Sequence, residues 1–174
     1  MIRLRFTYII YALGLLLLSA ACGLLRPVSD TNDGRPTGRP SSSELRLRQD
    51  IVAFAKKYEG VKYKYAGKEP RTGFDCSGFT SYVMDRYDIS LSASSRLQEG
   101  QGRRIRPADV QPGDLIFYRR SAGGRVFHVS LVVSNDREGI RVIHATSRGV
   151  VIDNISTSSY WEPKISTARD VISG

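Results

Sequence analysis

The most constraining feature of this sequence is Cys76, which lies in the run Phe-Asp-Cys-Ser-Gly-Phe at residues 74–79. Apolar side chains recur after it at helical intervals, which predicts an amphipathic helix over residues 76–87 with the thiol at its start. The free N–H groups and the dipole at a helix start stabilise a thiolate. A cysteine often packs as a small apolar residue, but the polar residues and the glycine around Cys76 favour a nucleophile.

Both histidines of the chain, His128 and His144, lie downstream of this cysteine on predicted strands. Apolar patterning predicts these strands over residues 114–119, 125–134, 140–147 and 150–152. If the second and third strands form a hairpin with Ser134 opposite Ile140, His144 lies opposite Ser130 and diagonal to His128. Because a slip of one residue would move one histidine to the other face, this register predicts that the two imidazoles meet.

Another helix is predicted before the cysteine. Ser41 and Glu44 have the spacing of a capping box, and apolar residues follow at helical intervals from Leu47 to Tyr58. Gly60 is predicted to end this helix, because glycine accepts the left-handed conformation common after a helical C-terminus.

The N-terminal segment has the pattern of a secretory signal peptide over residues 1–21. Arg3 and Arg5 give a positive start, residues 9–18 form an apolar stretch, and three small residues at 19–21 form a cleavage site. The apolar stretch is short for a membrane-spanning helix. We therefore expect an exported protein.

Cys22 follows the predicted cleavage site, and residues 18–23 resemble the lipobox of bacterial lipoproteins, whose cysteine is lipidated and becomes the new N-terminus. Ser19 departs from the usual larger aliphatic residue, and ordinary secretion is the alternative. By the enterobacterial sorting pattern, Gly23 favours an outer-membrane anchor that faces the periplasm. Residues 22–43 are rich in Pro, Gly, Ser, Asp and Arg and are interpreted as a flexible tether.

Five motifs, including the one around Cys76, follow one another along the chain, at residues 60–67, 74–79, 112–117, 127–132 and 142–145. In this order they resemble the NlpC-type family of bacterial cell-wall cysteine peptidases. The resemblance implies an α+β, papain-like fold in which an antiparallel β-sheet packs against N-terminal helices and the nucleophile lies at a helix N-terminus. The predicted organisation is a signal peptide, a lipidated tether and a catalytic domain, at residues 1–21, 22–43 and 44–174.

The residues and the resemblance together predict a thiol mechanism. Cys76 attacks an amide, while His128 forms an ion pair with the thiolate and later protonates the leaving amine. His144 hydrogen-bonds the far nitrogen of His128 and fixes its tautomer. The backbone N–H of Cys76 and, by resemblance, the hydroxyl of Tyr63 stabilise the oxyanion. No cofactor is expected.

The resemblance implies that the substrate is the stem peptide of peptidoglycan, cut at the γ-D-glutamyl bond to the diamino acid at the third position. In the family, positions that match Tyr63, Asp75 and Ser77 help to hold the amino end of the peptide. A carboxylate that faces an ammonium group in a sheltered cleft can supply this specificity. Two departures concern substrate preference: Ala66 stands where a glycine is frequent, and residues 91–96 match only loosely.

Other functions compete with this peptidase hypothesis. A catalytically idle murein-binding lipoprotein could use the same fold, and a cysteine amidase or acyltransferase could use the same nucleophile on another substrate. A zinc site could be built from Cys76, His128 and His144, but no two of them form a short ligand pair, so no metal is expected.

The charge of the chain bears on its partners. The formal net charge is +9, and removal of two arginines with the signal peptide leaves +7. This charge suits anionic lipid head groups or cell-wall carboxylates as partners, with the membrane reached through the lipid anchor. A solvated basic face without a specific partner is an equal alternative. Nucleic acid is not expected, because the protein is exported and its arginines are scattered along the sequence. A monomer in the bacterial cell envelope is expected.

Overall fold

In the part of the chain that the structure describes, two helices of ten or more residues precede the main sheet. In the computed structural model, which describes residues 40–173, helix α1 spans Ser42–Lys56 and helix α2 spans Cys76–Asp85. The Ser41 hydroxyl caps α1 by accepting a 3.1 Å hydrogen bond from the Glu44 backbone N–H, as the capping-box spacing predicts. Helix α1 ends at Lys56, before the predicted Gly60, which has a φ of +86° in the turns that follow.

The strands form a small hairpin and a six-stranded antiparallel sheet. The hairpin pairs β1 (Lys68–Glu69) with β2 (Gly73–Phe74), and a short helix α3 (Ser95–Gln98) follows α2. The large sheet contains β3 (Arg103–Ile105), β4 (Leu115–Arg119), β5 (Val126–Asp136), β6 (Gly139–Thr146), β7 (Gly149–Asn154) and β8 (Ile165–Asp170). Their spatial order is β3-β8-β4-β5-β6-β7. The predicted α+β class, with an antiparallel sheet packed against N-terminal helices, is confirmed.

Apolar side chains pack on both faces of this sheet. One cluster lies between the helices and the sheet and includes Ile51, Phe79, Phe117, Leu131 and Ile143. A second, smaller cluster includes Ile116, Tyr118, Val132, Val142 and Ile155. Because neighbouring residues of a strand point to opposite faces, the alternation of these members along β4, β5 and β6 shows that the central strands are covered on both sides.

The hairpin of β5 and β6 differs from its predicted register at the turn. Ser134 pairs with Arg141 rather than with Ile140, so the prediction at this position is wrong. The chain turns within residues 137–138, and an irregularity at Val133 then shifts the pairing by one residue. Beyond it, Leu131 pairs with Ile143, which is the register predicted for the histidine end of the hairpin.

A buried ion cluster joins α1 to the sheet. The Arg48 side chain is only 2% exposed, and its guanidinium contacts carboxylate oxygens of Glu44 at 2.9 Å, Asp114 at 2.7 Å and Asp170 at 2.9 Å. Nη2 of Arg48 also donates to the Ser173 hydroxyl at 3.0 Å. We call these five residues the Arg48 cluster. It connects the first helix to the residue before β4 and to the last residue of β8.

The predicted signal peptide, Cys22 and most of the tether lie outside the described residues. Helix α1 begins at Ser42, two residues before the predicted start of the catalytic domain at residue 44. Within residues 40–173, no helix combines the length and apolar character needed to cross a bilayer.

Candidate active site

Cys76 is the first residue of α2 and is partly buried. Asp75 caps this helix, because its Oδ1 accepts a 2.6 Å hydrogen bond from the Gly78 backbone N–H. The predicted helix start is thereby confirmed, and α2 ends at Asp85, two residues before the predicted end at Tyr87. Short polar capping residues adopt the extended conformation that begins a helix, and Asp75 does so here with ψ of 177°.

The loop of residues 60–67, which we call the tyrosine loop, is bound to the backbone just before the nucleophile. The Phe74 N–H donates to the Lys62 carbonyl at 3.1 Å, and the Asp75 N–H donates to the Gly67 carbonyl at 3.0 Å. Gly78 must lack a side chain, because a Cβ there would lie 2.0 Å from the Gly67 carbonyl oxygen. The loop is therefore held against the start of α2, with Tyr63 beside the thiol.

The environment of the thiol contains opposing effects. Burial raises the pKa of the Cys76 thiol above its usual value, and the charge of Asp75 adds to the rise. The nearby backbone N–H groups of Val129, Ser77 and Cys76 lower this pKa and oppose the rise. Val129 is the residue after His128, so its proximity places the thiol beside the strand that carries the first histidine.

The two histidines meet, as the register predicted. Nε2 of His128 lies 3.0 Å from Nδ1 of His144, and both side chains are buried. Burial lowers the pKa of His128 well below its usual value, and the neighbouring His144 lowers it further. Burial likewise lowers the pKa of His144, although Asp153 opposes this shift. These shifts favour an uncharged thiol and imidazole at rest, in contrast to the ion pair expected from the sequence.

Asp153 was not recognised in the sequence. Its Oδ2 lies 3.0 Å from Nε2 of His144, and it also forms an ion pair with Arg148. It occupies β7 directly beyond the predicted strand of residues 150–152. The sequence does contain a carboxylate near the end of the strand that follows the second histidine. However, only the pairing of β6 with β7 shows that the side chains of Asp153 and His144 meet.

Trp161 is a second residue that the sequence analysis missed. Its ring stacks on His128 with centroids 4.7 Å apart and an interplanar angle of 27°, and its centroid lies 5.0 Å from those of His144 and Tyr118. The one feature of the sequence that could have drawn attention to this residue is that it is the only tryptophan of the chain. Its stacking restricts the orientation of the His128 imidazole.

Two adjoining clefts give access to these residues. The cysteine cleft, of about 600 Å³, is lined by Cys76, Asp75, Ser77, Lys68, Arg96 and their neighbours. The histidine cleft, of about 670 Å³, is lined by His128, Arg148, Asp153, Tyr160, Trp161 and their neighbours. Tyr63, Arg120 and Phe127 line both. A substrate that spans the shared wall would therefore reach the nucleophile and the histidine together.

The three predicted substrate-binding residues lie in the cysteine cleft but differ in their contacts. Tyr63 is 41% exposed, and burial followed by the charges of Cys76 and Asp75 raises the pKa of its hydroxyl, which remains a donor. Asp75 uses Oδ1 for its contacts with Gly78 and Ser77, which leaves Oδ2 for a ligand. Ser77 is buried and donates to Asp75 at 3.1 Å and to the Ala93 carbonyl at 3.0 Å. Its contacts thus support the site structurally.

Ala66, noted above as a departure from the family, has a φ of +55°. This left-handed conformation disfavours side chains with a Cβ, which explains why glycine suits the position. Among the described residues, no group of three or more His, Cys, Asp and Glu side chains is arranged to hold a metal ion.

The chain is similar to known proteins in both sequence and structure. The sequence model of the NlpC/P60 family matches residues 60–170. A gamma-DL-glutamyl hydrolase of Bacillus subtilis strain 168 is 37% identical over 134 residues, which cover 75% of this chain and 30% of that protein. The chain therefore spans less than a third of the length of this relative.

Two solved structures are similar in fold. One is an NlpC/P60 family protein from Bacillus cereus ATCC 10987, with a TM-score of 0.65 and 27% identity over 78% of this chain and 41% of that one. The other is the NlpC/p60 domain of the peptidoglycan hydrolase SagA, with a TM-score of 0.57 and 32% identity over 69% of this chain and 95% of that one. The similarity thus covers nearly all of that domain.

Proposed function

The chain belongs to the NlpC/P60 family, and we propose that it is a cysteine endopeptidase that hydrolyses the stem peptides of peptidoglycan, at the bond between γ-D-glutamate and the diamino acid. One observation carries the proposal. A cysteine at the start of α2 adjoins a hydrogen-bonded pair of histidines across two connected clefts. The names of the relatives, gamma-DL-glutamyl hydrolase and peptidoglycan hydrolase, support the substrate class.

The geometry assigns the first proton transfer to one nitrogen. Because Nε2 of His128 is hydrogen-bonded to His144, Nδ1 is the nitrogen left to face the thiol. Because the raised pKa of Cys76 and the lowered pKa of His128 favour the uncharged forms of both groups, Nδ1 takes the proton from Cys76 as the sulfur attacks the carbonyl carbon. The developing oxyanion accepts hydrogen bonds from the Cys76 backbone N–H and the Tyr63 hydroxyl.

The second half of the reaction reverses the role of the imidazole. Nδ1–H of His128 donates its proton to the leaving amine, which departs as the tetrahedral intermediate collapses to a thioester on Cys76. Water, deprotonated by the same nitrogen, then attacks the thioester and releases the γ-carboxylate of the peptide. The histidine returns to its uncharged state, and the thiol recovers the proton.

The charges along the clefts support an acidic substrate. Lys68, Arg96 and Arg120 line the cysteine cleft, where Asp75 is the acidic residue. The stem peptide carries a carboxylate on the D-glutamate next to the bond to be cut, and further carboxylates on diaminopimelate. An excess of positive side chains beside the nucleophile increases the local concentration of such a substrate. The carboxylate of Asp75 is suited to the free amino end of the peptide.

We also propose that the mature chain is anchored to the cell envelope by lipid on Cys22, in the outer membrane and facing the periplasm. The lipobox-like residues 18–23 support this proposal. Mass spectrometry of the N-terminal peptide from membranes tests it, with Cys22→Ser as the control. A Cys22 peptide that carries no lipid and a chain found in the soluble fraction would contradict the anchor.

The proposed activity is tested with the chain from residue 22 onward, produced without lipid, and the tripeptide L-Ala-γ-D-Glu-diaminopimelate. Mass spectrometry should detect free diaminopimelate and the dipeptide L-Ala-D-Glu, and the variant Cys76→Ser should release neither. Release of diaminopimelate by the wild type but not by the variant distinguishes a peptidase from a murein-binding protein. A folded, reduced wild-type chain that leaves this tripeptide and longer stem peptides intact would contradict the proposal.

A further inference from the structure

Asp153 extends the row of hydrogen-bonded groups that begins at His128. Its Oδ2 lies 3.0 Å from Nε2 of His144, whose Nδ1 lies 3.0 Å from Nε2 of His128. The Asp153 side chain is 19% exposed and lines the histidine cleft, whereas His144 is fully buried. Asp153 thus places a charged group in contact with the buried histidine pair and on the wall of the histidine cleft.

The chemistry of these contacts determines where the ring protons lie. A carboxylate only accepts hydrogen bonds, so Nε2 of His144 must carry a proton that it donates to Asp153. In a neutral ring the other nitrogen then lacks a proton, and Nδ1 of His144 becomes an acceptor. The contact with His128 therefore requires a proton on Nε2 of His128, which leaves Nδ1 of that ring as a base.

We propose that Asp153 is a positioning residue that sets the tautomers of both histidines, so that the catalytic array has four members: Cys76, His128, His144 and Asp153. The effect of Asp153 on catalysis rests on the proposed function, but the tautomers of the two histidine rings do not depend on it. Asp153 takes no proton during the reaction. The proton of the Cys76 thiol moves to Nδ1 of His128. The hydrogen bonds from His128 to His144 and from His144 to Asp153 hold that ring in place as it becomes positively charged.

Arg148 adds to the effect of His144 in keeping the Asp153 carboxyl ionised. Its guanidinium contacts the same Oδ2 and is 59% exposed on the wall of the histidine cleft. Burial by itself raises the pKa of Asp153, but the hydrogen bonds from His144 and Arg148 outweigh it and hold the pKa below its ordinary value. Asp153 therefore remains an acceptor in neutral solution and cannot donate a proton to His144.

The test is nuclear magnetic resonance of the whole mature chain with nitrogen-15 in its two histidines. In the wild type, both rings should be neutral and protonated at Nε2. In Asp153→Asn, the side-chain amide can donate to His144, which should invert both rings and place the proton of His128 on Nδ1. Asp153→Glu should retain the wild-type tautomers, and Asp136→Asn, at the far end of β5, serves as the matched control.

Kinetics on the tripeptide give the second readout. By analogy with the loss of the oriented tautomer in a serine protease triad, Asp153→Asn should lower kcat by about 100-fold or more and leave KM nearly unchanged. Asp153→Glu should recover part of this loss, and Arg148→Gln should keep the tautomers because the contact from His144 to Asp153 remains.

The two readouts separate the possible failures. A wild-type His128 protonated at Nδ1 would overturn the proposal without any variant, whether or not the chain cleaves the tripeptide. Wild-type tautomers in a folded Asp153→Asn variant, or a kcat within about threefold of the wild type, would also overturn it. The expected tautomers in a chain that hydrolyses no stem peptide would uphold the role of Asp153 while contradicting the proposed function.

Discussion

Two buried polar arrays in this domain can be compared, because both contain charged side chains that the apolar core would otherwise exclude. In the Arg48 cluster, all three guanidinium nitrogens of Arg48 contact oxygen atoms of the protein. In the catalytic array, the contacts from Asp153 through His144 to His128 stop at a ring nitrogen beside two clefts. The first array is complete within the protein, and the second ends at a group that is available to a ligand.

The difference shows how structural and chemical uses of buried charge can be distinguished. A buried charge destabilises the fold unless hydrogen bonds and opposite charges compensate it. The Arg48 cluster meets this requirement and joins three distant parts of the chain. The catalytic array ends at a ring nitrogen of His128 that is available to a ligand, and proton transfer to a substrate can occur there. Loss of a member should therefore affect stability in the first array and activity in the second.

The largest expected effect is the loss of the nucleophile. Cys76→Ser changes one atom at the start of α2, so the free energy of unfolding should change little. The rate of tripeptide hydrolysis should fall on the order of a million-fold, as when the nucleophile of a hydrolase triad is removed. Unfolding by urea and kinetic assays measure the two quantities. Large destabilisation with retained activity would contradict the assignment of Cys76 to the catalytic array.

The Arg48 cluster should show the opposite result. Arg48→Met removes the cation that contacts the buried carboxylate of Asp114 and one of the two that contact Asp170. This loss should lower the free energy of unfolding by about 3–5 kcal/mol. Arg46→Met, on the exposed side of the same helix, is the matched control and should change stability little. The kcat of the folded fraction of Arg48→Met should equal that of the wild type. A selective loss of kcat would show that the two arrays are not separable.

Much of the catalytic array could be predicted from the sequence because local patterns determine it. The apolar period placed Cys76 at a helix start, and alternation along two neighbouring strands placed His128 and His144 on one face. The turn register was wrong by one residue, yet the irregularity at Val133 restored it before the histidines. Local patterns thus placed the side chains whose positions depend on neighbouring elements.

The remaining parts depend on contacts between distant segments. Strand β8 comes last in the chain but lies between β3 and β4, and neither β3 nor β8 was predicted. The Arg48 cluster depends on this arrangement, because Asp170 ends β8 and is 122 residues from Arg48. Trp161 likewise reaches the histidines from a segment without strong periodicity. Sequence patterns contain no direct information on such pairings.

The protonation state of Cys76 gives a smaller effect that sharpens the comparison. A thiol whose pKa is raised above its ordinary value is largely protonated in neutral solution. An acid with a raised pKa ionises only as the pH increases through that higher value. The difference in ultraviolet absorbance between the wild type and Cys76→Ala should therefore show thiolate only in alkaline solution. A strong thiolate signal at pH 7 would instead establish an ion pair with His128.

The smallest expected effect concerns a second arginine, which differs from Arg48 in its surroundings. The Arg120 guanidinium lies 4.4 Å from the centroid of the Phe127 ring and lines both clefts. Within residues 40–173, no carboxylate forms an ion pair with it. Its position at the shared wall and its free guanidinium suit it to bind a substrate carboxylate.

Arg120→Gln should therefore raise KM for the tripeptide with D-glutamate by about tenfold and leave kcat nearly unchanged, because a charge-assisted hydrogen bond contributes about 1.5 kcal/mol. For the same peptide with D-isoglutamine, which lacks that carboxylate, the substitution should matter little. Arg125→Gln, which removes an exposed arginine near the start of β5, is the matched control. An equal rise in KM for both peptides would show that Arg120 shapes the cleft without binding the D-glutamate carboxylate. An unchanged KM for both would mean that the Arg120 guanidinium, unlike the His128 imidazole, takes no part in the reaction of this substrate.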